Sequence, residues 1–424
     1  MLDPRSLAER REEIVASCRR RGVSGDVDGA VALHGHVAAQ QTELNEANRR
    51  RNEHQETGKR LPPDEREAHG QEGRALKEAV SRIEAELATL RAHFDAALAK
   101  LPNFIHPEVP DGGEDDAREL SRWGEPRRFA FEAADHLQLG AQLDLLDFEG
   151  GAKVAGPKFY YLKNEAVLLE LGLQRFALDI LLEEGFTPYV TPDVARPGIV
   201  EGLGFNPRGA ETQIYSLANE DLCLVGTAEI TLGGLYADAI LQEDELPIRL
   251  AGISHCFRTE AGAAGRESKG LYRVHQFTKV EMFVITRPED SDAMHARLLA
   301  IEERVFQGLE LPYRVVDIAA GDLGAPAIRK FDIEAWMPGR GESGAFGEVC
   351  STSNCTDYQA RRLQTRFRRK GAKKNEYVHM LNGTAVSNAR AILALLENHQ
   401  QADGSVAIPR ALRPYVGRDV IGPR

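Results

Sequence analysis

Three short segments place charge inside otherwise apolar, strand-like sequence, where an unpaired charge is costly. The first is Arg258-Thr259-Glu260, directly after the run Ile253 to Phe257. The second is Val274-His275-Gln276-Phe277-Thr278-Lys279-Val280-Glu281. The third, Leu381-Asn382-Gly383-Thr384-Ala385, leads to Arg390 and the helical run Ala391 to Leu396. An arginine at a strand end holds a phosphate with its fixed fork of donors. An aromatic such as Phe277 offers a face to a base, and a carboxylate such as Glu281 holds an ammonium group. Each residue also has an ordinary structural use. Arg258 can pair with Glu260 or Glu281, Phe277 can sit in a core, Asn382-Gly383 makes a good turn, and Arg390 can decorate a helix start.

The common nucleotide signatures are missing. The chain has no GxxxxGK[ST] loop, and Gly202-Leu203-Gly204 lacks the third glycine of a dinucleotide fingerprint. Neither HExxH nor a serine elbow occurs. If a nucleotide binds, arginines rather than a glycine loop must hold its phosphates. The five cysteines, Cys18, Cys223, Cys256, Cys350 and Cys355, form no CxxC pair, so no structural zinc and no disulfide framework is expected. That usage fits a reducing cytoplasm, and the charged start Met1-Leu2-Asp3-Pro4-Arg5 has no apolar signal core. No apolar run approaches a membrane span.

These side chains need a scaffold, and the 424 residues are enough for two or three domains. Residues 30 to 101 are rich in Ala, Glu, Gln, Arg and Leu and contain no tryptophan. Leu76, Val80, Ile83, Leu87, Leu90, Phe94, Leu98 and Leu101 recur in steps of three and four, which makes one apolar seam along a helix. A weaker seam runs through Leu33, Val37, Gln40, Leu44 and Ala47. Gly58 to Asp64 stops one helix and starts the next. The pattern predicts an antiparallel two-helix coiled-coil arm of roughly 25 to 30 residues a side, about 40 Å long. Taken alone, it would serve equally well as a dimerisation or scaffold coiled coil.

After a Pro- and Gly-rich linker through Gly113, the texture becomes mixed. Glu165 to Glu184 has helical period, and Gly185 to Pro192 reads as a short strand between prolines. Leu222 to Val225, Arg249 to Phe257, Lys279 to Ile285 and Tyr313 to Ile318 read as further strands. Their irregular spacing predicts an α+β fold, a mainly antiparallel sheet with helices packed on it. The net charge of -12 argues as a sum against a nucleic-acid partner, but local patches decide contact. Arg19-Arg20-Arg21, Arg49-Arg50-Arg51, Lys59-Arg60 and Arg127-Arg128 all fall in the first third.

In this order and at these intervals, the segments resemble the class II aminoacyl-tRNA synthetases, and within them the seryl-tRNA synthetases. Gly185 to Pro192 looks like the first family motif, a helix and strand at a dimer interface. Phe257 to Glu260, the loop Ala261 to Gly270, and Leu271 through Glu281 look like the second. Asn382 through Arg390 with Leu395 to Asn398 looks like the third. Gly226-Thr227-Ala228-Glu229, Glu348-Val349-Cys350-Ser351 and the tail Pro409 to Gly417 are similar to seryl-specific segments. The N-terminal hairpin is similar to the family's tRNA-binding arm.

That resemblance implies a tRNA-binding domain over 1–105 and a catalytic core over 106–424. It implies serine activation by ATP to seryl-adenylate, followed by transfer to the terminal ribose of tRNA(Ser), with tRNA(Sec) an open second acceptor. ATP and Mg²⁺ are the implied cofactors, and a cytoplasmic homodimer the implied state. Arg258, Glu281 and Arg390 are the implied catalytic residues. Arg258 would hold the α-phosphate and Arg390 the γ-phosphate, with Phe277 and Arg390 sandwiching the adenine. Thr259, Glu260 and the Val274 backbone belong to the implied ATP site, together with Glu348, Val349, Cys350 and Ser351. Glu348 and Ser351 would act on phosphates through Mg²⁺. Glu281 and Thr227 would engage the serine ammonium with Glu229 nearby, Ala228 and Arg258 belong to the same implied serine site, and Asn382 with Thr384 would meet the serine hydroxyl. Many family members carry Asn-Gly-Ser-Gly where this chain has Asn382-Gly383-Thr384-Ala385. The hydroxyl is kept and a methyl is added. Two alternatives stand beside this reading: a catalytically silent binding module, and a ligase of the same fold for another small amino acid or a carrier protein. Retention of Arg258, Glu281, Glu348 and Arg390 speaks against the first, and the long arm against a carrier-protein version.

Overall fold

The computed structural model describes residues 1–59, 61–206, 212–261 and 269–423. The chain divides into two compact units, Met1–Phe104 and Ile105–Arg424. The first unit is helical, with α1 Arg11–Arg20, α2 Val27–Gly58 and α3 Arg66–Ala99. Helices α2 and α3, 32 and 34 residues long, pack along each other as a hairpin. At 1.5 Å per residue each runs about 50 Å, longer than the spacing alone predicts. The seam of α3 is the buried one, with Val80, Ile83, Leu87, Phe94 and Leu98 inside. The weaker seam of α2 is half-buried at Leu33, Val37, Gln40, Leu44 and Ala47. At the base, Leu7, Ile14, Ala30, Leu98 and Leu101 close a small core.

In the first unit, some of the basic residues singled out from sequence are tied to neighbours. Arg21 is buried and donates to the Phe104 carbonyl at 3.2 Å. Arg49 pairs with Glu46 at 2.7 Å, and Lys59 with Glu56 at 2.5 Å. Arg60 lies outside the described residues.

The second unit is built on an eight-stranded sheet. In chain order its strands are β1 Arg118–Trp123, β2 Thr187–Val190, β3 Ile248–Phe257 and β4 Gln276–Thr286. β5 Tyr313–Asp317, β6 Arg329–Met337, β7 Ala345–Asn354 and β8 His379–Ser387 complete it. Their spatial order is β1-β5-β6-β7-β8-β4-β3-β2. Every pairing is antiparallel except β2 with β3 at one edge. Among the described residues, the long helices packed on the sheet are α4 Glu165–Glu183, α5 Ser291–Gly308 and α6 Asn388–His399. Helix α6 is buried over almost its whole length, which explains its run of Ala, Ile and Leu. Asn382-Gly383 is not a turn, because both residues lie inside β8, paired with Ser353 and Thr352 of β7. Glycine fits there because the chain is crowded. A Cβ at Gly383 would lie 2.9 Å from a Glu302 carboxyl oxygen and 3.0 Å from the Met282 methyl.

Candidate active site

The middle strands line one cavity of about 310 Å³ on the sheet face. Strand alternation puts Phe277, Lys279 and Glu281 of β4 on that face, two residues apart each time. Two β-bulges then break the alternation in the neighbouring strands. Between β6 and β7, Ile333 faces Cys350 while Glu334 faces Glu348, so Val349 is the extra residue. Between β8 and β4, Thr384 faces Glu281 while Val386 faces Val280, so Ala385 is extra. Each bulge shifts the parity by one. Glu348 and Ser351 thereby share the cavity face, as do Thr384 and Ser387.

Buried polar groups are densely connected here. Glu281 is 2% exposed and pairs with Lys279 beside it. Burial pushes its carboxyl above the usual range, against the pull of Lys279 and Arg258. Thr227 caps the short helix Ala228–Gly234, its hydroxyl accepting from the Glu229 amide at 3.2 Å. Glu229 Oε1 accepts from Asn382 Nδ2 at 2.8 Å and from Gln359 Nε2 at 2.6 Å. Burial, then the nearby Glu281 charge, pushes Glu229 up to about 7.

Two arginines also line the cavity. Arg258 is fixed through its backbone, whose amide donates to the His275 carbonyl at 2.9 Å. Its guanidinium donates to the Gly226 carbonyl at 3.3 Å and lies 5.2 Å from the Phe277 ring centre. Among the described residues it makes no ion pair with either sequence candidate. Glu260 pairs instead with Arg273 at 2.6 Å, and Glu281 with Lys279. Arg390, in the first turn of α6, pairs with Glu348 at 3.1 Å and lies 4.7 Å over the Tyr272 ring. Burial opposes charge on Glu348, but Arg390 and Lys330 outweigh it and hold the carboxyl down at about 2.

Of the residues singled out from sequence, Thr227, Glu229, Arg258, Glu260, Val274, Phe277 and Glu281 line the cavity. So do Glu348, Val349, Cys350, Ser351, Asn382, Thr384 and Arg390. Two stay behind its wall. Ala228 is fully buried, and the Thr259 hydroxyl donates to the Thr212 carbonyl at 2.5 Å. The Val274 backbone makes no hydrogen bond among the described residues, so it is available to a ligand. Residues 262–268 of the loop Ala261 to Gly270 lie outside the described residues.

Sequence reasoning gave no role to Tyr272, Arg273, Lys279, Lys330, Asp332 or Gln359. The Lys279–Glu281 spacing was a usable signal, since alternate strand residues share a face. Lys330 and Asp332 have the same spacing on β6 and pair at 3.0 Å. Burial raises Asp332 to about 7, with Lys330 pulling against it. Charged sequence hid this strand.

An arginine-walled cavity beside a buried carboxylate and hydroxyl cluster suits an anionic nucleotide next to a small zwitterion. Over residues 1–105 the chain matches the family model of the seryl-tRNA synthetase N-terminal domain. Residues 214–399 match the class II tRNA synthetase core domain for G, H, P, S and T. The serine–tRNA ligase of Treponema denticola is 53% identical over 100% of both chains. That of Rubrobacter xylanophilus is 54% identical, over 100% of this chain and 99% of its own. The chain belongs to the seryl-tRNA synthetase family. Among solved members, the Pyrococcus horikoshii synthetase complexed with ATP superposes with a TM-score of 0.91 at 41% identity, covering 100% of both chains. The cytoplasmic serine–tRNA ligase of Naegleria fowleri, in complex with AMP, gives 0.85 at 30% identity, covering 100% of this chain and 99% of that one.

Proposed function

We propose that the chain joins L-serine to tRNA(Ser) in two steps at this cavity. The serine carboxylate attacks the α-phosphate of ATP, giving seryl-adenylate and pyrophosphate. The 3′-terminal ribose hydroxyl of the tRNA then takes the seryl group. The observation that carries the reading is the joining of Arg258 and Arg390 to Glu281, Asn382 and Thr384 around one cavity.

Arg258 is the α-phosphate ligand, without an ion pair among the described residues and so available to offset charge that grows there. Arg390 holds the γ-phosphate, and Phe277 offers a ring to the adenine. Glu281 takes the serine ammonium, which displaces or joins Lys279 at the same carboxylate. Asn382 and Thr384 meet the serine hydroxyl; a polar pocket of this kind rejects alanine because its buried groups would go unpaired. The Thr384 methyl takes space and acts against threonine.

The ionised Glu348 carboxylate and Ser351 hydroxyl, sharing one face, are the hard oxygen donors that suit Mg²⁺ alongside phosphates. Mg²⁺ bound there would neutralise phosphate charge. We assign 1–105 as the tRNA-binding domain and 106–424 as the catalytic core. The partner is a second copy of the chain: edge strand β2 is exposed throughout, and Val190 is 84% exposed. No helix among the described residues is long and apolar enough to cross a membrane, in keeping with work in the cytoplasm.

The test is amino-acid-dependent exchange of pyrophosphate into ATP. Serine should support exchange, and threonine and alanine should do so far more slowly. Faster exchange with either of those, or none with serine, overturns the reading.

A further inference from the structure

Gln359 lies outside all the motif segments, on the helix Tyr358–Leu363, and is fully buried. Its surroundings are apolar: Val200, Leu203, Ala360 and Leu363 belong to the same core cluster. An amide there is costly unless its hydrogen bonds are made. Its Nε2 makes two, to the Leu203 carbonyl at 3.0 Å and to Glu229 Oε1 at 2.6 Å. Its own carbonyl oxygen is buried without a partner among the described residues. The donor end therefore accounts for the residue's presence.

Glu229 Oε1 also accepts from Asn382 Nδ2 at 2.8 Å. The Asn382 backbone is pinned by the β7–β8 ladder and by the Thr352 hydroxyl, which donates to its carbonyl at 2.9 Å. What remains to be set is which end of the Asn382 amide faces the cavity. Glu229 Oε1 already accepts from Gln359 Nε2, so toward Asn382 it draws the NH₂ end and turns the carbonyl oxygen away from itself. The other neighbour of Nδ2, the Cys355 sulfur at 3.9 Å, is a weak acceptor and would not fix the choice.

We propose that Gln359 is a positioning residue for amino-acid specificity, holding Glu229 where it presents the Asn382 carbonyl to the substrate hydroxyl. Gln359 touches no substrate. It acts through Glu229 on Asn382, and this rests on the serine-site reading above. The chemistry selected is a small amino acid that donates an O–H. An amino acid with hydrogen in that place leaves the carbonyl unpaired.

The test compares wild type with Gln359→Met, which keeps the volume and removes both donors. The measurement is serine- and alanine-dependent pyrophosphate exchange, with KM for serine and for ATP taken separately. KM for serine should rise about tenfold and the serine-to-alanine ratio of kcat/KM should fall about tenfold, as the loss of one hydrogen bond to a charged group implies. KM for ATP should stay within about twofold. A ratio equal to that of wild type, or equal rises in both KM values, overturns the proposal, since a merely structural glutamine would act that way. Should Gln359→Met not fold, Gln359→Asn keeps the polar amide but is one methylene too short to reach Glu229, and must lower the same ratio. Wild-type protein without serine-dependent exchange would instead sink the parent reading, and this proposal with it.

Discussion

Replacing Arg258 with alanine separates a catalytic cation from a structural one, because its structural contacts can be summed independently. Among the described residues the guanidinium makes one hydrogen bond, to the Gly226 carbonyl at 3.3 Å, and stacks at 5.2 Å from the Phe277 ring centre. Losing them should cost about 1–2 kcal/mol, because no carboxylate is left orphaned among the described residues. That shifts the melting temperature by a few degrees. Removing one charge-stabilising donor from a reacting phosphate, by contrast, costs about 10²–10³ in rate, or about 2.7–4 kcal/mol. Serine-dependent pyrophosphate exchange by the Arg258→Ala protein should therefore fall at least a hundredfold, with its melting curve barely moved. Its sedimentation should match that of the wild-type protein. Exchange within threefold of wild type would refute the phosphate role. A collapse of the melt, or dissociation, would show that Arg258 is structural.

Two further outcomes follow from the same geometry. Deleting residues 35–95 removes most of α2 and α3 and should spare exchange while abolishing tRNA charging; charging at normal efficiency would rule out the arm as the tRNA-binding element. The second concerns pH. Glu229 is raised to about 7 in the folded chain against an ordinary value of 4.5, so its charge penalises folding. The penalty is absent below pH 4.5 and grows as pH rises through 7, reaching about 3 kcal/mol. Glu229→Gln should therefore gain stability over wild type progressively between those pH values in urea melts; a pH-independent difference would falsify this account.

Residue types and periodicity were enough for the parts of the molecule ruled by local physics. The α3 seam from Leu76 to Leu98 repeats at helical spacing, so its burial was readable before any partner was known. Arg258, Glu281 and Arg390 stood out because charge is rare in apolar runs, and all three line the cavity. The Asn382-Gly383 pair misled because its turn propensity is local, whereas neighbours on both sides hold it in β8. β6 was missed because Lys330, Asp332 and Glu334 read as surface sequence, yet Lys330 lines the cavity and pairs with the buried Asp332.

The sequence by itself determined which groups could do chemistry and that a helical arm precedes a mixed sheet. Tertiary structure alone decided which of them meet. Strict alternation would put Glu348 with Cys350 and away from Ser351, but the bulge at Val349 reverses that parity. The bulge at Ala385 does the same for Thr384 and Ser387. A bulge comes from the pairing of two strands distant in the chain, so neither strand's own sequence announces it. The same holds for the buried amide of Gln359, 130 residues from the Glu229 carboxylate it holds. Its role exists only once the fold excludes water from both.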